Sequence, residues 1–547
     1  MCVFNSERGK VMTRKFNVLI SAVILSSLVA CSSKPKQEVQ DTLRVDVGTE
    51  IPTFDPALSE DGYTYRVIND LFAGLVDFDQ ANRPIPGMAT WDISDDGLVY
   101  TFHLKPGLKF SDGSPIKASD VVFSWRRLID PATGSSYAFL LRDVANGESI
   151  IAGKKPASEL GVVATDDNTV VVTLAHPTNA FLNYLTTPDV FIVPEKVVEK
   201  YGSNWTQPQN MVTSGAYTLK EHVVNGYILV EKNPEYYQES QVKIKYVKYF
   251  PFVDINASVS NYKTGALDTT WQSVPVDQYA TLKKQYPTQL HSFPWERVEF
   301  INLNMTLPKY ANNLKLRQAL SMAIDRKILA ETILGGGQTP LNGVVTPTIE
   351  NGKYKDIQYS WTNLPNEKRI AEAKELYKEA GFSASNPLTV TLKYQTNDLY
   401  KKVMISVASM WTEELGVKVN LVNEERKALS QDWRNANYDI SSGTWGADYN
   451  SITTYTPQYL CNNGNNRSHY CNPKYDALIN QAEATVDPVK QEQLYKQALN
   501  IVMQDYPIIP LYQPVHQRLV APRVQGYDID TNYLDNVQTK WMTLSND

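Results

Sequence analysis

The chain has 547 residues, 53 Lys and Arg against 59 Asp and Glu, and a net charge of −6. With 42% hydrophobic and 20% charged residues it is neither a disordered chain nor a bundle of membrane spans. The acidic balance argues against a general polyanion or nucleic-acid binder, and the length predicts two to four domains at roughly 100–200 residues each. Aromatic residues are the compositional oddity: 32 Tyr, 16 Phe and 10 Trp. Tyrosine offers broad contact at low rotamer entropy, so the excess is read either as recognition surface or as generous packing.

In chain order, Arg14 and Lys15 precede an apolar run, Phe16–Ala30, shorter than the ~20 residues of a membrane span. The run ends Leu28-Val29-Ala30-Cys31, followed by polar residues, and so resembles a bacterial lipoprotein signal. That resemblance implies cleavage before Cys31, acylation of its thiol and a polar tether over residues 31–41; an ordinary export signal is the alternative. Met12 is a second candidate start. Removing residues 1–30, which hold Arg8, Lys10, Arg14, Lys15 and Glu7, takes the remaining chain to −9.

The body mixes strand and helix signals without internal repeats. Thr42–Val47, Leu98–Leu104 and Thr169–Leu174 alternate as strands. Ser119-Asp120 reads as a cap for a helix over Val121–Ile129. Amphipathic helices are expected over Lys315–Leu329, Asn366–Ala380 and Leu399–Leu415, the last two closed by Gly381 and Gly416. Strands are expected at Leu388–Tyr394 and Val417–Val422. Residues 300–425 therefore alternate as α/β, while 40–300 is richer in strands. Cys461 and Cys471 bracket a short polar loop. In an exported chain a disulfide is expected there, worth roughly 3 kcal/mol in the chain-entropy model. A metal site with His469 as third ligand is the alternative, and no C-x-x-C supports it.

Enzyme motifs are sparse. Walker, dinucleotide, zincin and nucleophile-elbow patterns are missing, and the six histidines are scattered. Ser114-Pro115-Ile116-Lys117 and Lys263-Thr264-Gly265 fit two of the three elements of penicillin-type serine hydrolases. The third, S-D-N, is absent, and Ser114 does not open the expected helix.

The stretch Gly87–Asp130, GMATWDISDDGLVYTFHLKPGLKFSDGSPIKASDVVFSWRRLID, is the most specific signal. It resembles the signature of the large peptide- and nickel-type solute-binding proteins of ABC importers. Asp70–Val76 resembles the family's early helix. Asp130-Pro131, Trp205-Thr206-Gln207-Pro208, Gly215–Leu219, Asn397–Lys402 and Trp445–Asn450 look like its oligopeptide-binding members. The resemblance implies an α/β, two-lobed periplasmic-binding-protein clamshell of type II, cluster C, with an extra domain. One lobe would combine 42–72, 197–297 and 516–547 with an extra domain at 73–196, and 298–515 would form the other. It further implies peptide capture without catalysis or cofactor. A monomer, lipid-anchored on the outer face of a bacterial membrane, would deliver ligand to a membrane permease.

By the same resemblance, Asp448, three residues after Trp445, meets the peptide ammonium, and Trp445 walls a side-chain pocket. Tyr137 and Glu60 lie near the extended ligand backbone, which pairs as strand to strand. Three departures point to shifted preference. The family's paired cysteines are replaced by Arg297 and Gly446. Its Trp and His at two further sites are Arg426 and Tyr400, and two arginines before the Trp-x-x-Asp motif are Trp433 and Ser442. Arg297 and Arg426 are candidates to replace the lost carboxylate contact, or are surface arginines. A dedicated cargo such as a murein tripeptide, haem or nickel is the alternative to general peptides, and an adhesin or chaperone role is a further one.

Overall fold

A computed structural model describes residues 41–527 and 532–545. The export segment, Cys31 and the tether up to residue 40 lie outside the described residues. Among those described, no helix is long and apolar enough to cross a membrane.

Three main sheets organise the chain. In the first, Thr42–Asp46 pairs in parallel with Tyr246–Phe250, followed by Tyr227–Lys232 and Tyr217–Val223 in antiparallel order. Leu43, Val45, Val247 and Tyr249 point to its buried face, where they meet Leu71, Phe72 and Trp205. The early helix lies before most of the expected Asp70–Val76: it is Gly62–Leu71, it stops before Phe72, and Val76 already begins the strand Val76–Phe78. There the Gly215 N–H takes the Leu71 carbonyl at 2.9 Å. A Cβ on Gly215 would sit 2.5 Å from the Leu71 carbonyl carbon, so only glycine allows this approach.

The second sheet runs Ala89–Ile93, Val99–Leu104, Thr169–Thr173, Val162–Asp166, all antiparallel. Its inner residues Phe102, Val170 and Val172 pack on Val121, Trp125 and Leu128. These come from the helix Ala118–Ile129, which begins three residues before the expected Val121 start. Asp120 is its third residue: its carboxylate accepts from the Lys117 backbone N–H at 2.8 Å, the reciprocal half of a capping box.

The third sheet has six strands in the order Thr339–Pro340, Ile508–Gln513, Arg297–Leu303, Ile440–Gly446, Thr389–Gln395, Lys418–Glu424. Helices Asn366–Glu379, Asp398–Leu415 and Pro488–Asp505 contribute Ala373, Trp411 and Leu499 to its core. The helix expected over Lys315–Leu329 is interrupted. Leu314–Met322 is helical, residues 323–325 are not, and the chain coils again over 326–334. Arg326 explains the gap. Its guanidinium is buried, and it donates to the carbonyls of Ser321 (2.9 Å), Leu341 (3.1 Å) and Pro510 (2.8 Å). A buried cation requires acceptors, and an unbroken helix would keep the Ser321 carbonyl for itself and hold Arg326 away from those of Leu341 and Pro510.

Two adjacent segments connect the first and third sheets' regions. Leu290–Pro294 pairs antiparallel with Val515–Leu519, and each chain runs directly into or out of the six-stranded sheet. The Trp295 N–H bonds the Pro514 carbonyl at 2.9 Å where they cross. The chain therefore returns near its start, and Asp268 ties the pieces together. Its buried carboxylate accepts from Arg44 (Nη2 2.7 Å, Nε 3.0 Å) and from Arg523 (Nε and Nη2, both 2.7 Å). Burial raises the Asp268 pKa, but the two guanidinia outweigh it and hold the carboxyl below its ordinary value. Replacing Asp268 with Ala should destabilise the protein by about 3 kcal/mol, the low end for a broken buried pair because both arginines are partly exposed. Urea unfolding at pH 7 measures this. The contribution should be complete above the unfolded carboxyl pKa of about 3.9 and lost as pH falls through the lower folded value.

Candidate functional site

The site is built on the pairing of Arg297–Leu303 with Ile440–Gly446. The register sets Arg297 opposite Gly446, Val298 opposite Trp445 and Glu299 opposite Thr444. Beyond the strand the chain turns under tight control. The Ala447 N–H bonds the Glu296 carbonyl at 2.8 Å, and the Asp448 N–H bonds Thr454 Oγ1 at 3.1 Å. Trp445 is half-buried, its indole N–H on the Thr454 carbonyl at 2.8 Å.

Asp448 keeps access to solvent, yet it is walled by protein on most sides. It therefore faces a water-holding recess and not bulk solvent. Loss of bulk water pushes its pKa up to about 6, while a hydrogen bond from Tyr137 and the charge of Arg297 oppose the rise. Tyr137, from residues 73–196, thus meets an acid from residues 298–515. Its ring packs against Tyr65 (centroids 6.1 Å) and Phe139 (5.4 Å). Next to it Ser136 donates to Glu60 at 2.5 Å. Behind this layer lies Asp189, which the sequence reading missed. It is buried and accepts from Tyr65 (2.9 Å) and Ser59 (3.1 Å). Burial raises its pKa to about 8 against those two hydrogen bonds. In sequence, Thr187-Pro188-Asp189 reads as a turn, and nothing local marks the carboxyl as buried.

The other charge sign gathers alongside. Arg297 lies over the Trp295 ring, its guanidinium carbon 3.7 Å from the centroid. It also lies across Gly446, where an added Cβ would come within 3.3 Å of its Nε. The two departures from the family pattern thus form one complementary pair: the bare glycine makes room for the arginine. Glu299 is buried between Thr444 (2.8 Å) and Tyr400 (3.0 Å), both donating to it. Burial raises its pKa, opposed by Arg297 and Arg426. Arg426 is exposed at the start of the helix Arg426–Arg434. Trp433 is buried with Leu429 and Tyr438, its N–H on Ser441 Oγ at 2.9 Å, so most of its ring is packing. Its remaining face carries Arg467, at 4.4 Å from the ring centroid, which also sits 5.6 Å from that of Trp445.

Arg467 is a second residue that sequence reasoning passed over, because it lies in the polar loop between the cysteines. Cys461 and Cys471 are joined in a disulfide, which consumes the thiolates a metal would need. His469 Nε2 instead lies 2.7 Å from the Trp433 carbonyl oxygen. The serine-hydrolase motifs do not assemble. Ser114 donates to Asp112 at 2.6 Å, and Lys117 pairs with Asp167 at 2.9 Å. A separate cavity of about 420 Å³ is lined by Arg142, Asp143, His176 and Glu483. It does not include Asp448, and its ionic groups largely satisfy one another, with Asp143 taking both Arg142 and His176.

Residues 83–467 match the family described as bacterial extracellular solute-binding proteins, family 5. The chain belongs to this family. It is 38% identical over 532 residues to the periplasmic oligopeptide-binding protein OppA of Salmonella typhimurium, covering 95% of this chain and 97% of the relative. The unliganded open form of the murein tripeptide-binding protein MppA superposes with a TM-score of 0.82 at 33% identity, covering 92% of this chain and 97% of MppA. Haemophilus influenzae OppA in complex with RPPGFSPFR gives 0.76 at 34% identity, covering 92% and 99%. Family 5 proteins are transport components that bind solutes outside the cytoplasm, so this chain is a mixed α/β clamshell binding protein and not an enzyme.

The raised pKa of Asp448 has a measurable consequence. An ionised carboxylate in this recess opposes folding above the ordinary carboxyl range, because the folded pKa exceeds the unfolded one. Asp448→Asn should therefore raise the melting temperature of the unliganded protein at pH 7.5. The difference should shrink as pH falls through about 6 and vanish near pH 4, as thermal melts at a series of pH values would report.

Proposed function

We propose that this protein captures oligopeptides with a free N-terminus between its two lobes and hands them to a membrane permease. The observation that carries the reading is Asp448: a carboxylate in a partly dehydrated recess, facing Tyr137 from the opposite side of the cleft. A cation leaving water needs a charge partner, and Asp448 offers one at a place where few waters compete. The strand edges and the loop carrying Glu60 supply backbone partners, so affinity depends weakly on side chains. On this reading 42–72, 197–297 and 516–547 form the core of one lobe, 73–196 its extra domain, and 298–515 the other lobe. The crossing at Pro294–Trp295 and Gln513–Pro514 is the hinge. The mature chain is a monomer held to the membrane through acylated Cys31.

A narrower cargo has one observation in its favour. Arg297 acts on Asp448, and Arg467 gathers with Arg297, Arg426 and Arg434; together they outnumber what a single carboxylate terminus needs, as a peptide with extra carboxylates, such as a murein peptide, would require.

Calorimetry with trialanine and N-acetyl-trialanine tests the main reading. Asp448→Ala should weaken trialanine binding by roughly 2–5 kcal/mol, the range for a truncated buried charge pair, and leave the acetylated peptide's weak binding little altered. Affinity of the unmodified protein should hold above about pH 7 and fall as Asp448 protonates below about 6. Equal loss for both peptides would overturn the assignment of Asp448. Separately, Cys31→Ser should abolish palmitate labelling and release the protein from membranes; retention of label would place the modification elsewhere.

A further inference from the structure

The positive charge beside Asp448 is only partly balanced. Of the groups that act electrostatically on Arg467, Arg426, Arg297 and Arg434 share its sign, and only the Tyr400 phenol opposes them. Burial, and then these neighbours, pull its pKa down to about 10. Among the described residues no carboxylate lies within ion-pair distance of Arg297, Arg426 or Arg467. Of the two acids that feel these charges, Glu299 already accepts from Thr444 and Tyr400, and Asp448 accepts from Tyr137. The Nε of Arg297 is buried and lacks a hydrogen-bond acceptor. Arg467 spends one N–H on the Thr444 carbonyl, at 3.1 Å, and has four left. Like charges gathered in a half-dehydrated recess are unfavourable unless an anion joins them.

Arg467 is also held with unusual care for a loop residue. Its carbonyl accepts from Tyr438 at 2.5 Å. The neighbouring Asn466 side chain bonds the carbonyls of Leu460 (2.9 Å) and Tyr470 (2.6 Å), which lie beside the two half-cystines. Ser468 accepts from the Met305 N–H at 2.9 Å. The guanidinium plane rests on two indoles, which orient it without neutralising it.

We propose that Arg467, together with Arg297 and Arg426, receives a carboxylate of the ligand, and that the Cys461–Cys471 loop fixes Arg467 where it selects short peptides carrying a carboxylate near their ammonium end. The inference rests on the peptide-capture reading and adds to it a residue and a ligand class. The carboxylate is either the C-terminus of a short peptide or an acidic side chain, and the same guanidinium geometry serves both.

The test compares alanine peptides of two to five residues, each as free acid and as C-terminal amide, together with Ala-Glu-Ala amide, by calorimetry on the full chain. The unmodified protein should prefer the acid of at least one length, or Ala-Glu-Ala amide over trialanine amide, by tenfold or more. Which pair shows the preference identifies the source of the carboxylate. In Arg467→Gln that acid-to-neutral ratio should collapse toward one, and Arg467→Lys should restore part of it. The double variant Cys461→Ser, Cys471→Ser should lower the ratio, by relaxing the loop, while Asp448-dependent ammonium binding persists. A ratio near one in the unmodified protein, or one that survives Arg467→Gln, overturns the inference and leaves peptide capture standing. Binding of none of these peptides, in acid or amide form, overturns peptide capture itself and this inference with it.

Discussion

Everything proposed for the cleft depends on one strand pairing, Arg297–Leu303 against Ile440–Gly446. Because side chains alternate along a strand, a slip of one residue would turn every group to the opposite face. The observed register sets Arg297 against the one position without a Cβ, and Glu299 against the hydroxyl of Thr444. It also delivers Asp448 two residues beyond the strand end, where Glu296 and Thr454 hold its backbone. The pairing is secured by burial of the rest of the strand, with Phe300, Ile301 and Leu303 in the main core. The polar cleft is thus positioned by hydrophobic burial farther along the same strands.

The second constraint is topological. A chain that leaves one lobe and returns to it must bind its ends to its middle. Asp268 does this with Arg44 and Arg523, and Asp70 does so with Arg66 and the Thr539 N–H (2.9 Å). Both acids are almost wholly buried, so each needs its partners for the folded state to tolerate it. The Asp268 clamp adjoins the end of the returning strand, where the Ala521 N–H bonds the Asp268 carbonyl at 2.8 Å and the Thr270 N–H bonds that of Leu519 at 3.0 Å. The lobes are therefore stiffened within themselves, while the connection between them is two strands wide. That distribution suits a hinge.

The aromatic excess divides unequally. Tyr217, Tyr249, Tyr310, Tyr455, Tyr459 and Tyr475 are fully buried and serve packing, with hydroxyls bonded to interior acceptors such as the Ile244 carbonyl (3.0 Å) and Asp439 (2.8 Å). Tyr65, Tyr137 and Tyr400 do otherwise: each hydroxyl reaches a carboxyl of the cleft wall and helps decide its protonation. Composition alone overstated the recognition surface, because a phenol in a core and a phenol in a cleft contribute alike to a count.

Local chemistry made much of the fold legible. Strand alternation located Thr42–Asp46, Val99–Leu104 and Thr169–Thr173 to within a residue or two. Glycines at positive φ closed the helices ending near Gly381 and Gly416. Where local pattern failed, a distant partner was responsible. Pro510 and Leu341 draw Arg326 inward and interrupt a helix that its own periodicity would continue. The candidate site divides in the same way. Trp445 and Asp448 stood out as candidates because their spacing forms a motif, and the pairing of Cys461 with Cys471 was legible because exported cysteines pair. Asp189 and Arg467 were not, since a Thr-Pro-Asp turn and an Asn-rich loop look the same whether their charged residue faces water or a cleft. Sequence by itself determined many of the elements, the family and the acid expected to meet an ammonium, all of which depend on neighbours along the chain. Only the tertiary structure decided which arginines stand beside that acid, because burial and charge proximity are set by segments hundreds of residues apart.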